Sequence, residues 1–276
     1  MVSTSGKSDK ELAFLQDLYV ATDWGERFAG LLDEHLELPK KGRAIYVAAG
    51  TGGHALALHQ RTGDDVSLVC VDESEERIEL ARAKAAAMSS DAEFRRAQLE
   101  DLGFEDDQFD LVVGDASLVA VERVPQMFAE MVRVAQPGGT VALSLPTSSS
   151  FGEFFSIYWE ALGQAGLGEH ASQVESLIKE LPTISDIETM AEREGLEGVN
   201  TWMRIEEFDY ESGEEFLNSP LITDFLLANW LDALPDRDDR GRVTRELENI
   251  IDQERHDMDF TLTVKATLLI GRKLRD

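Results

Sequence analysis

The residues of this chain whose types and spacing suit them to chemistry are a glycine turn, Gly50-Thr51-Gly52-Gly53, and an acid, Asp72, which follows Gly50 by 22 positions. Glycines let a turn bring backbone N–H groups close to a ligand, and an acid about 20 residues downstream accepts hydrogen bonds from a ribose diol. The expectation is an adenosine-bearing cofactor, and Asp72→Ala is expected to weaken its binding while leaving the fold intact. A dinucleotide fingerprint requires G-x-G-x-x-G, whereas Gly50 to Ala55 reads G-x-G-G-x-A, so a nucleotide-dependent oxidoreductase is the lesser alternative.

These residues need a strand, a turn, a helix and a second strand to position them. Ala44 to Ala49 is an apolar strand-like run that breaks at Gly50, a helical pattern follows, and Val69-Cys70-Val71 ends on Asp72. Ser74 is the expected N-cap of a helix reaching Met88, with Glu75 and Glu76 in its first turn. Further strands are predicted over Glu93–Gln98, Phe109–Gly114 and Thr140–Leu145, with a helix between Val124 and Ala135.

The segments "Phe104-Glu105-Asp106-Asp107-Gln108-Phe109-Asp110-Leu111-Val112" and "Gln136-Pro137-Gly138-Gly139", in this order after the glycine turn, resemble the class I S-adenosylmethionine-dependent methyltransferases. The resemblance runs from about Tyr19 to Leu145. It implies an α/β fold: a Rossmann-like, seven-stranded, mostly parallel sheet with helices on both faces, an N-terminal helical preface and a helical cap inserted before the last strand. It also implies S-adenosylmethionine as cofactor, a small-molecule or acyl-conjugate acceptor, and a preface that closes over the cofactor, with Tyr19 and Trp24 as its candidate cover.

The same resemblance assigns the cofactor-binding residues. Gly50, Gly52 and Asp72 stand where the family has them, and Glu73 either helps hold the ribose or only favours the following helix. The family's first-strand acid is replaced by Tyr46, whose hydroxyl is a candidate donor to the methionine carboxylate, and a family glycine is replaced by Ala48. Gln98 takes the place of an acid that accepts from the adenine amine, and Leu99 would offer its backbone N–H to the ring. Asp115, at the end of the fourth strand, is both a cofactor-site residue and a candidate general base. His170 is the second candidate base, His54 is expected to cap or pack, and His256 to lie in a solvated loop. The altered first motif leaves two readings open: a methyltransferase with a rewired methionine pocket, or a related protein that has lost turnover and kept ligand binding or an interaction role.

Composition bounds these readings. Fifty-four acids against 26 bases give a formal charge of −28, which repels nucleic acid and offers no basic patch to hold it. That acidity fits either a high-salt habitat or a need for solubility. No apolar run approaches the ~18 residues of a membrane span, and the polar start of the chain has no signal-peptide core, so a cytoplasmic protein is expected. The single cysteine, Cys70, reads as a buried small hydrophobe, and no Cys/His cluster suggests a metal.

Three parts are expected: a helical preface over 1–42, a cofactor-binding core over 43–146, and a C-terminal part over 147–276. The preface reads as one or two helices from Lys10 to Leu38, with Leu12, Leu15, Leu18 and Tyr19 on one face. Leu143 to Phe154 is similar to the segment after the fifth strand in biotin-pathway enzymes that methylate a malonyl thioester. Val199–Tyr210 and Phe260–Arg272 read as the last two strands. The excursion of about 50 residues between them, 211–259, is too long for a passive hairpin turn and is expected to be a lid or a dimerisation element. Its stripe of Phe216, Leu217, Leu221, Phe225, Leu226, Trp230 and Leu231 has helical spacing.

Overall fold

The structure is a computed structural model and describes residues 6–62, 65–232, 234, 236–254 and 259–275. Seven strands form one sheet in the order β3-β2-β1-β4-β5-β7-β6: β1 Gly42–Val47, β2 Val66–Asp72, β3 Glu93–Arg96, β4 Phe109–Asp115, β5 Ala135–Pro146, β6 Leu196–Tyr210 and β7 Phe260–Lys273. Strand β1 runs parallel to β2 and β4, β2 to β3, and β4 to β5. The helices joining them are α3 Gly53–Thr62, α4 Glu75–Ala87 and α5 Val124–Val134, preceded by α1 Asp9–Leu15 and α2 Glu26–His35.

The alternation of side chains along each strand splits the core into two layers. Ile45, Val47, Val69, Val71, Val112, Val141 and Leu143 enter a layer with Met127, Phe128 and Met131 of α5. Ala44, Tyr46, Leu68, Cys70, Leu111, Val113 and Ala142 enter the other, with Leu31 and Leu32 of α2, Leu56 of α3 and Ile78 of α4. Strands covered on both faces read as continuous apolar runs, which is why β1, β2 and β4 were legible. Cys70 is fully buried, and burial pushes its thiol pKa up.

The chain divides into two compact units. One comprises residues 8–145, 183–204 and 266–276 and contains both layers. The other comprises 146–182 and 205–265 together with the N-terminal end up to Lys7. In it, α6 Gly152–Gln164, α7 Ala171–Glu180, α9 Gly213–Asn218, α10 Leu227–Trp230 and α11 Arg237–Glu254 surround an aromatic core; α8, Ile184–Arg193, belongs to the first unit. Phe154 stacks on Trp230 at 4.1 Å between centroids and lies 5.6 Å from Tyr158, and Phe216 meets Phe260 edge-on. The stripe in 211–259 is therefore packing for its own unit: Phe216, Leu217, Leu221, Leu226, Trp230 and Leu231 are buried. His256 lies outside the described residues.

A buried acid ties α5 to the loop before β4. Glu130 accepts the Leu102 backbone N–H at 2.8 Å and two N–H groups of Arg133 at 2.7 Å. The Arg133 guanidinium holds the Glu130 carboxyl below its ordinary value of 4.5. A carboxyl depressed in the folded state contributes its stability above the unfolded value and loses it as pH falls through the folded one. The urea midpoint is therefore expected to drop more between pH 6 and about 3 in the parent than in Glu130→Gln, as followed by circular dichroism.

Candidate cofactor site

Past Val47 the backbone enters the left-handed region three times: at Ala48 (φ 57°), Gly50 (φ 56°) and Gly52 (φ 77°). The Ala49 N–H closes onto Val71 O and the Gly52 N–H onto Ala49 O, both at 3.0 Å, so the loop is pinned before α3 starts. Gly50 and Gly52 adopt this geometry freely, but Ala48 pays a steric cost of about 1–2 kcal/mol. Ala48→Gly is expected to stabilise the protein by up to about 1 kcal/mol after the extra entropy of an unfolded glycine, and Ala48→Val to destabilise it, read as opposite shifts of the urea midpoint.

Asp72, 3% exposed, is bound from three directions. Its Oδ2 accepts the Gly50 N–H at 2.9 Å, and its Oδ1 accepts the Ser74 N–H at 3.0 Å and the Arg77 guanidinium at 2.6 and 2.7 Å. Arg77 in turn donates to Gln16 Oε1 at 3.1 Å, while Asp17 accepts from Thr51 Oγ1 at 2.6 Å and from Lys84. Asp72 thus staples the glycine turn to the start of α4, a role that spacing alone did not announce. One lone pair of Oδ2 remains for a ribose hydroxyl.

Glu73 gives both carboxylate oxygens to Arg123, at 2.7 and 3.0 Å, and Arg123 also forks onto Glu100 at 2.6 and 2.9 Å. The pairing with Arg123 pulls the Glu100 carboxyl down. Glu73 so engaged anchors the loop that carries Arg123, a partner that neither of the two roles left open by the sequence included. Gln98 is exposed and bridges to Asp101 through its backbone, whereas the Leu99 side chain is committed to the core.

At the end of β4, Asp115 accepts the Ser117 N–H at 2.9 Å, and burial raises its carboxyl pKa. Ser117 Oγ accepts the indole N–H of Trp24 at 3.0 Å. Trp24 is 1% exposed while Tyr19 is 58% exposed, so of the two proposed cover residues the structure buries Trp24 and leaves the Tyr19 ring in solvent. The reason is that Gln16–Gly25 is a π-helical stretch, whose wider turns rotate Leu18 and Tyr19 off the face that 3.6-residue spacing assigns them. Ser144, beside Asp115 in the β4–β5 register, buries a hydroxyl without a hydrogen-bond partner and was not anticipated.

Tyr46 does not offer a free hydroxyl. It lies 2.9 Å from His54 Nδ1, and His54 Nε2 lies 3.2 Å from Asp33 Oδ1, which also pairs with Arg61. Burial, followed by the Asp115 charge, raises the Tyr46 pKa well above its usual value, so the phenol stays neutral. His54 therefore does more than cap or pack. His170, on the turn Gly168–His170, belongs to the other compact unit, so the structure does not group it with Asp115 in the first.

Residues 44–139 match a family model described as "Methyltransferase domain". The ubiquinone/menaquinone biosynthesis C-methyltransferase UbiE of Geotalea daltonii is 36% identical over 123 residues, 43% of this chain and 52% of that protein. The chain thus spans about half the length of that relative. The demethylmenaquinone methyltransferase of Bacillus cereus is 26% identical over 174 residues, covering 59% of this chain and 73% of its own. Among solved structures, the YcgJ protein of Bacillus subtilis superposes with a TM-score of 0.59 at 18% identity, covering 91% of this chain and all of that one, a likeness of fold.

Proposed function

We propose that this chain, whose residues 44–139 match a methyltransferase domain, is a class I S-adenosylmethionine-dependent methyltransferase that transfers a methyl group from that cofactor to a small-molecule or acyl-conjugate acceptor. The observation that carries the reading is the Gly50–Asp72 contact, which sets a left-handed glycine turn and a carboxylate with a spare lone pair side by side at the ends of β1 and β2. The residues fit the cofactor: the donor set is glycine backbone and carboxylate, and a Cβ at Gly50 would come within 3.0 Å of Gln16, which borders the turn.

When bound, the cofactor would supply an electrophilic sulfonium methyl group for in-line attack by the acceptor, with S-adenosylhomocysteine as the leaving group. The Gly50 backbone can approach the cofactor closely, Gly52 lets the turn pack against Phe94 and Ala81, Asp72 Oδ2 takes a ribose hydroxyl, and the Leu99 backbone faces the adenine. Trp24 keeps water out. Asp115, with its pKa raised, takes the proton that the acceptor loses; methyl transfer otherwise depends on positioning. A carbon acceptor, as in the relative named a ubiquinone/menaquinone biosynthesis C-methyltransferase, is the class to screen first.

In this reading residues 1–42 are the preface, 43–146 the cofactor core and 147–276 the C-terminal part, whose helices over 211–259 cap the acceptor or pair with a second copy. The protein works in the cytoplasm without nucleic acid. No helix among the described residues is long and apolar enough to cross a membrane. The test is calorimetric titration with S-adenosylmethionine, S-adenosylhomocysteine and NAD, at low and high salt. Binding of the two sulfur ligands without NAD supports the proposal. Binding of none removes it and leaves the interaction role, which the pairing of Asp72 with Arg77 would then explain.

A further inference from the structure

We propose that Ser144 is an acceptor-binding residue: its hydroxyl and the Asp115 carboxylate hold between them one weakly acidic hydroxyl, of an enol or a phenol, on the molecule to be methylated. The inference rests on the methyl-transfer reading above and deepens it by naming the chemical class of the acceptor.

Among the described residues, three buried side-chain atoms lack a hydrogen-bond partner: Ser144 Oγ, Tyr158 Oη and Gln173 Oε1. Only Ser144 belongs to the compact unit that holds the glycine turn. It is 3% exposed, and an alanine would fit the strand without burying a hydroxyl that bonds to nothing in the chain. Such a hydroxyl points to a partner that arrives from outside.

Its place says what kind of partner. Along β5, Leu143 and Leu145 enter the layer with α5, while Ala142 enters the layer of Tyr46 and Val113. By alternation Ser144 faces the same side as Ala142, and in the β4–β5 register it stands opposite Asp115. The Ala116 N–H, donating to Ser144 O at 2.8 Å, holds the two strand ends together. Neighbouring strands lie about 4.8 Å apart, yet Ser144 Oγ bonds to neither Asp115 oxygen. Asp115 Oδ1 is taken by the Ser117 N–H at 2.9 Å, and Ser117 Oγ by the Trp24 indole at 3.0 Å, so Oδ2 is the oxygen left for a ligand. One oxygen atom placed between Oδ2 and Ser144 Oγ bonds to both.

A hydroxyl suits both bonds and the reaction. A carboxylate only accepts, so the ligand atom must carry a proton for Asp115; the serine hydroxyl donates, so the same atom must also offer a lone pair. An amine meets the two demands only by giving the serine the lone pair with which it would attack. An enol or phenol keeps its nucleophilic electrons, because they are delocalised onto the neighbouring carbon. The proton passes to Asp115, whose carboxyl holds it better for being buried, and Ser144 hydrogen-bonds the oxygen as negative charge develops there. The electron pair forms the bond from carbon to the methyl group while the methyl–sulfur bond breaks, its pair going to sulfur to leave S-adenosylhomocysteine. The hydrogen on the methylated carbon then moves to the oxygen as a proton, restoring the hydroxyl, and Asp115 passes its proton to solvent.

The experiment is calorimetric titration of the full chain, saturated with S-adenosylhomocysteine, with 4-nitrophenol and with its methyl ether 4-nitroanisole, which keeps the shape and has no proton to give. The pH is held below that at which the free phenol ionises. The parent is expected to prefer the phenol about tenfold or more. Ser144→Ala is expected to lose about tenfold of that preference, with affinity for the ether unchanged and a urea midpoint equal to or above that of the parent, because the hydroxyl has no partner in the chain to lose. A parent that binds the two probes equally or not at all, or a Ser144→Ala variant with the preference of the parent, overturns the acceptor assignment alone. Failure of S-adenosylhomocysteine to bind overturns the methyl-transfer reading and the assignment with it.

Discussion

Replacing Asp72 with alanine should weaken S-adenosylhomocysteine binding at least tenfold and also lower the stability of the protein by about 2–4 kcal/mol. The two losses have separate origins. Ribose recognition uses the remaining lone pair of Oδ2, worth the roughly 1.5–3 kcal/mol of a hydrogen bond to a charged group. Stability falls because the Gly50 and Ser74 N–H groups lose their acceptor and the Arg77 guanidinium, 27% exposed at its side chain, loses its carboxylate partner and keeps only Gln16. The expectation from sequence that the fold would be indifferent to this change is therefore revised. Arg77→Ala provides the control. It leaves both backbone bonds to Asp72 in place, should cost less stability, and should leave binding equal or tighter because it exposes the carboxylate. Calorimetry at a temperature where circular dichroism shows all three proteins folded separates the outcomes. Equal affinity of Asp72→Ala and parent would remove Asp72 from the cofactor site and leave it a structural staple.

The elements that sequence made legible are those whose burial is uniform. Strands β1, β2 and β4 are covered on both faces and show it as unbroken apolar runs, and Ser74 caps α4 as its type and place require. Strand β5 begins at Ala135, five residues before the expected Thr140, because Pro137-Gly138-Gly139 has the composition of a turn yet stays in the ladder through a register shift opposite Phe109 and Leu111. Helix α7 gave no signal because Val174 is its one fully buried residue. The site divides the same way. Gly50, Gly52 and Asp72 were found because one local unit holds them at a spacing that chemistry dictates. Asp33 escaped, and His54 was read only as a cap or packing residue, because their meaning depends on partners that other elements deliver: Asp33 comes from α2 and His54 from α3, and only the fold joins them to Tyr46 in one hydrogen-bonded chain.

A single methyl group placed on the glycine turn tests whether the turn's geometry is obligatory. A Cβ at Gly52 would lie 2.8 Å from Phe94 Cε1 and 2.9 Å from the Ala81 Cβ, closer than packed carbons come, and the residue has φ 77°. The neighbours have little freedom to yield: Ala81 is fully buried on α4, and Phe94 is 6% exposed on β3. The left-handed backbone costs about 1–2 kcal/mol for any L side chain, and overpacking adds about 1–3. Gly52→Ala should therefore destabilise the protein by about 2–4 kcal/mol, lowering the urea midpoint without changing the slope of the transition. Gly53 shares the turn, but a Cβ there meets nothing within 4 Å and its φ is not left-handed, so Gly53→Ala should be close to neutral. Ligand binding sharpens the contrast, because the Gly52 change strains the segment whose neighbour, Gly50, donates to Asp72, and Gly53→Ala leaves that bond untouched. Comparable midpoints for the two variants would mean that the turn relaxes freely, and that its rigidity contributes nothing to holding Asp72 in place.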